Sequence, residues 1–157
     1  MKCYFHAQEI HTSDSNEKGV VAFAIPDIGV VYRAVASGDQ LTREYAAVLR
    51  LLEFIDTNTE ILSNQKLEIL GDSALVVYQL SGRIPVSSSH VPLFRQVQRF
   101  RARLSYDVSW VPSSLNRAAM GLPDLPPLPL KFNFEFADHR AAKSRPASGS
   151  TRPFTKV

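Results

Sequence analysis

The order of side-chain periodicities along the chain limits its possible folds more than any other feature. Three β-type runs come first, "KCYFHAQEI" at residues 2–10, "VVAFAIP" at 20–26 and "VVYRAVA" at 30–36. Only the polar stretch "HTSDSNEKG" and the tight "PDIG" separate them, which leaves room for turns and not for crossovers. Strands joined so closely form an antiparallel meander. In the first run Tyr4, His6 and Gln8 share one face, and Cys3, Phe5 and Ala7 the other.

Helical period begins only afterwards. In "DQLTREYAAVLRLLEFID" the residues Glu44, Ala47, Val48, Leu51, Leu52 and Ile55 fall on one helix face, with Asp39 placed to cap it. Glu44 is a carboxylate on an otherwise apolar stripe. After the polar loop "TNTEILSNQK" comes a strand, "LEILG" at 67–71, then Asp72 and a helix over 73–81 that Gly82 terminates. A third helix is expected over 93–104, with Leu93, Val97, Phe100 and Leu104 as its core stripe. Arg95, Arg99 and Arg103 recur every four residues beside it, with Arg101 nearby. "YDVSWVP" reads as a fifth strand with Trp110 in the core, and "SSLNRAAMGL" as a short last helix in which Asn116 is a possible cap. The order β-β-β-α-β-α-α-β-α implies an α/β fold, a five-stranded mixed sheet flanked by helices.

Three regions are expected. Residues 1–122 form the folded domain. Residues 123–138 open with the proline-dense "PDLPPLPL", an extended polyproline spacer, and include "KFNFEF" at 131–136, a strand suited to covering the sheet or docking a partner protein. Residues 139–157 make a basic, compositionally disordered tail. This tail carries Arg140, Lys143, Arg145, Arg152 and Lys156 and no acid. The other 13 Lys/Arg face all 15 Asp/Glu, so the body is net −2 and the tail +5. The basic tail adds nonspecific attraction to phosphates. A single cysteine, Cys3, rules out an internal disulfide framework, and no apolar run suits a signal peptide or a membrane span. A soluble cytoplasmic protein is expected.

A carboxylate at the end of a buried strand, as at Asp72, calls for a helix cap, an ion pair or a metal, because an unpaired buried charge is costly. The segment around it, "LEILGDSALVVYQLSG", together with "REYAAVLRLLEF" and "VSWVPSSLNRAA", resembles type 1 ribonuclease H, in the branch often labelled reverse-transcriptase-like. The resemblance covers roughly residues 2–122. It implies a nuclease that cuts the RNA strand of an RNA–DNA hybrid, using two Mg²⁺ ions held by four carboxylates.

Transferred position by position, that set is half complete. Glu44 matches the family's helix glutamate and Asp72 its strand-end aspartate. His6 stands where the first-strand aspartate belongs, and Met120 where the last helix has its aspartate. A thioether is of no use to a hard cation, and an imidazole suits Mn²⁺ or Zn²⁺ better than Mg²⁺. A site of formal charge −2 undercompensates two divalent ions. Glu9 lies on the opposite strand face from His6, Asp14 falls in the first turn, and Asp124 follows Pro123, so none is a ready substitute. The expectation is an RNase H-like domain that binds RNA–DNA hybrid or double-stranded RNA through Arg95, Arg99, Arg103, Asn116 and Arg117 and is impaired in ordinary two-metal hydrolysis. The alternatives are an active Mg²⁺- or Mn²⁺-dependent ribonuclease with Glu44, Asp72 and His6 as ligands, and a structural domain that docks another protein through residues 131–136.

Overall fold

The computed structural model describes residues 1–10, 18–62 and 65–120. The proline-dense segment, the strand expected at 131–136, the basic tail, Asp14 and Asp124 lie outside the described residues. Five strands form one sheet: β1 (Lys2–Glu9), β2 (Lys18–Ile25), β3 (Val30–Ser37), β4 (Leu67–Gly71) and β5 (Tyr106–Trp110). Their spatial order is β3-β2-β1-β4-β5. The first three pair antiparallel, and β4 joins β1 and β5 in parallel. The mixed sheet expected from the sequence is the one observed.

The apolar alternation of β1 and β2 decides which face carries helices. Cys3, Phe5 and Ala7 of β1 and Val21, Phe23 and Ile25 of β2 are buried together against α1 (Gln40–Thr57). On that helix Ala47, Val48, Leu51, Leu52 and Ile55 are buried as the stripe requires, and Tyr45 joins them. Each fully buried Leu or Ile contributes about 1.5–3 kcal/mol relative to exposure. Asp39 caps α1 as expected, accepting from the Thr42 N–H at 2.7 Å. The Tyr45 hydroxyl donates to Gln79 Oε1 at 2.7 Å and so ties α1 to α3 (Ala74–Leu80). Gly82, at φ +72°, ends α3 as expected.

Three elements differ from the sequence reading. A one-turn helix, α2 (Thr59–Leu62), occupies part of the polar loop. The third long helix, α4, runs Val91–Phe100 and not 93–104. It starts earlier because Pro92 is tolerated in a first turn, where its missing N–H costs nothing. It stops at Phe100, and Arg101 and Arg103 fall in the turn that follows. Leu104 is nonetheless buried and Val97 fully so. The expected last helix is a 3₁₀ turn, Ser113–Leu115, followed by a hydrogen-bonded turn through Met120. There the Asn116 side chain binds the backbone of Ala118, a local bond that competes with helix continuation.

Candidate active site

Phe5 of β1 and Gly71 of β4 are the last paired residues of the parallel ladder, so His6 and Asp72 leave it side by side. Gly71 has to be glycine here. A Cβ at this position would lie 2.1 Å from Cζ of the fully buried Phe5 ring. The β1–β4 packing that brings His6 to Asp72 therefore depends on that missing side chain.

The imidazole Nδ1–H of His6 donates to both Asp72 oxygens, at 3.0 and 2.9 Å. Asn116, fully buried, donates from Nδ2 to Asp72 Oδ1 at 3.0 Å and to the Phe5 carbonyl at 2.8 Å. Its Oδ1 accepts from the Ala118 N–H at 3.0 Å. Burial pushes the Asp72 carboxyl up, but the hydrogen bond and charge of His6, with a further bond from Ser113, outweigh it and hold the group below the ordinary carboxylate range. Asp72 does not cap α3. Ser73 does, accepting from the Val76 N–H, while its hydroxyl donates to Glu44 Oε2 at 2.5 Å. The other Glu44 oxygen accepts from Gln40 Nε2 at 2.9 Å, and Gln40 Oε1 in turn accepts from the buried Arg43. His6, Asp72 and Asn116 thus meet directly, and Glu44 reaches Asp72's neighbour, Ser73.

Met120 is drawn into none of this. It is 42% exposed, its carbonyl accepts from Arg33 at 3.1 Å, and Arg117 Nη1 lies 3.8 Å from its sulfur. Among the described residues, no three His, Cys, Asp or Glu side chains are placed to hold a metal ion. Both Asp72 oxygens and both Glu44 oxygens already accept bonds from protein donors, and the side chains of His6 and Met120 offer a nitrogen and a thioether. This donor set does not fit two Mg²⁺ ions, which require oxygen ligands in near-octahedral array.

The arginines separate into groups. Arg103 makes a three-bond fork to Asp56 (2.8–3.2 Å), and Arg101 lies over the Tyr106 ring and donates to its carbonyl. Arg95 and Arg99 of α4 are exposed, and so is Arg117. The expected stripe is thereby reduced to two residues, because α4 ends before the third. Trp110 is not core. It ends the edge strand 49% exposed, with its indole N–H donating to the Asp72 carbonyl at 3.2 Å. A second polar cluster, unread in the sequence, joins the start of α1 to the turn before α4. His90 bonds Asp39 and Thr42 through Nε2 and Ser87 and Ser89 through Nδ1. The hydroxyl and N–H of Thr42, with His90, lower the Asp39 carboxyl to about 2.

No family model matches the sequence, and no curated protein matches it. Solved structures do. LC11-RNase H1, isolated from compost by a metagenomic approach and solved with RNA/DNA hybrid, superposes with a TM-score of 0.61 at 16% identity, over 74% of this chain and 88% of that one. The N-terminal RNase H domain of a Mycobacterium tuberculosis protein gives 0.55 at 21% identity, covering 73% and 85%. RNase H1 of Halobacterium salinarum gives 0.52 at 22% identity, covering 79% and 98%. The fold is that of ribonuclease H.

Proposed function

We propose that the chain is an RNase H-fold nucleic-acid-binding domain, impaired in ordinary two-metal hydrolysis, whose ligand is an RNA–DNA hybrid or double-stranded RNA. The observation that carries this reading is the state of Asp72. Its carboxylate is held by His6 and Asn116, and no second acid of the described chain joins it. The likeness to a structure solved with a bound hybrid supports the choice of polymer. Recognition of such duplexes rests on A-form shape, phosphates and 2′-hydroxyls rather than base order. The exposure of Arg95, Arg99 and Arg117 supports their use as phosphate contacts, whereas Arg103 is committed to Asp56. Asn116 is fully buried and bonded to Asp72, which favours a supporting role behind the site over direct contact with the ligand.

The test is titration of a labelled RNA–DNA hybrid with wild type and Asp72→Asn, in Mg²⁺, in Mn²⁺ and in EDTA, scored for both mobility shift and cleavage. A shift without cleavage is expected, steeply weakened by salt. Cleavage abolished by Asp72→Asn would overturn the impairment and favour the active-ribonuclease reading, with a complete site that includes Asp72. Neither shift nor cleavage would overturn the binding reading and favour a protein-interaction domain.

A further inference from the structure

The sheet face opposite α1 carries a second arrangement of charge. Arg33 of β3 pairs with Ala22 of β2, and Ala22 pairs with His6 of β1, so the three residues form one row on one face. Between Arg33 and His6 the surface is low. Ala22 and Ala24 are buried under Ala118, a patch of methyl groups that lets the 116–120 turn lie close to the sheet. Two guanidinium groups converge on Met120 in this turn, Arg33 through the carbonyl at 3.1 Å and Arg117 through the sulfur at 3.8 Å. Neither has an ion-pair partner among the described residues, unlike Arg103 with Asp56 or Arg50 with Glu53. The Nε of Arg33 is buried with no hydrogen-bond partner among the described residues.

A carbonyl and a thioether do not neutralise two guanidinium charges. The group that does is an anion with several acceptor oxygens, for which arginine's fork of donors is suited. The turn that carries Arg117 also carries Asn116, which bonds Asp72, and Arg33 shares its cross-strand row with His6, so both cations lie on the face that carries the His6–Asp72 pair. We infer that Arg33 and Arg117 form a seat for a backbone phosphate of the bound nucleic acid, so that the strand is held there by guanidinium groups and not by divalent ions. The inference rests on the nucleic-acid-binding reading above and adds to it the residues, the ligand group and independence from metal.

Fluorescence anisotropy of a labelled RNA–DNA hybrid in EDTA, across a salt series, tests it with wild type, Arg33→Gln, Arg117→Gln and Arg33→Lys. Wild type is expected to bind equally well in EDTA and in Mg²⁺. Each Gln variant should bind about tenfold more weakly, with the slope of log K against log salt reduced by about one, and Arg33→Lys should recover most of the slope. Arg117 is exposed, so Arg117→Gln keeps the test valid even where Arg33→Gln lowers stability. Wild-type affinity and slope in both Gln variants, or binding that disappears in EDTA, would overturn the seat while leaving the binding reading standing. Failure of wild type to bind under any condition would overturn both.

Discussion

Asn116 offers the sharpest test of how the site is held together. Its side chain makes three bonds: Nδ2 to the Phe5 carbonyl and to Asp72, and Oδ1 from the Ala118 N–H. The first of these falls where the β1–β4 ladder stops, at the Phe5–Gly71 pair, so the amide takes over where the strand runs out. Asn116→Ala removes all three at once. The Phe5 carbonyl and the Ala118 N–H are left buried without partners, at about 1–3 kcal/mol each, and Asp72 loses one donor. A loss of about 3–5 kcal/mol follows, or about 6–20 °C in Tm for a chain of this size. Urea denaturation reads it as a lowered midpoint at unchanged slope. Asn116→Asp is the informative companion, since it keeps the acceptor for Ala118 but sets a second carboxylate against Asp72. Its deficit should be large at pH 7 and shrink toward pH 4, where the introduced carboxyl regains a proton to donate. A loss under about 1 kcal/mol in Asn116→Ala would refute the reasoning, since it would mean that these groups find other partners.

Three further outcomes follow from the same geometry. Gly71→Ala drives a methyl into the Phe5 ring and should cost about 1–3 kcal/mol, read as a lowered urea midpoint. The Asp39 carboxyl is lowered from 3.8 to about 2 on folding, so its contribution is full above pH 4 and disappears as pH falls toward 2. The stability gap between wild type and Asp39→Asn, followed by circular dichroism, should therefore close across that window. Burial raises the Cys3 thiol to about 11, so the folded protein should resist a thiol-reactive dye at pH 8 and react only on addition of denaturant.

Much of the fold was legible because its signals are local. The short gaps before residues 20 and 30 permit only a meander, and the α1 stripe is buried at every apolar position the helical period marks. What period cannot register is competition at element ends. Asn116 spends its side chain on Phe5, Asp72 and Ala118, and the expected helix is not continued past the 3₁₀ turn that ends at Leu115. Likewise, the Arg95/Arg99/Arg103 pattern presumes a helix that ends at Phe100. At the site, the adjacency of His6 and Asp72 follows from parallel pairing of β1 with β4, which the motif order implied. Ser73 was missed as the α3 cap, because Asp and Ser are equally good caps and only the His6 bond decides between them. Trp110 looked like core since a lone tryptophan on a strand usually is. That β5 is an edge strand among the described residues, with the indole tied to the Asp72 carbonyl, is a long-range fact.

The place of β1 in the sheet has a kinetic consequence. It is the first strand in the chain and the middle one in space, flanked by β2 from its near neighbour and by β4 from beyond α1. On a ribosome adding about 5–20 residues per second, the β1–β2–β3 hairpins can close seconds before residues 67–71 emerge. Throughout that interval β1 presents an open hydrogen-bonding edge backed by Cys3, Phe5 and Ala7, which invites pairing with another nascent chain. Anything that delays α1 or β4, such as a run of slow codons between residues 40 and 70, lengthens that exposure. Yield of soluble protein should therefore depend on translation rate even when the equilibrium stability of the finished domain is unchanged.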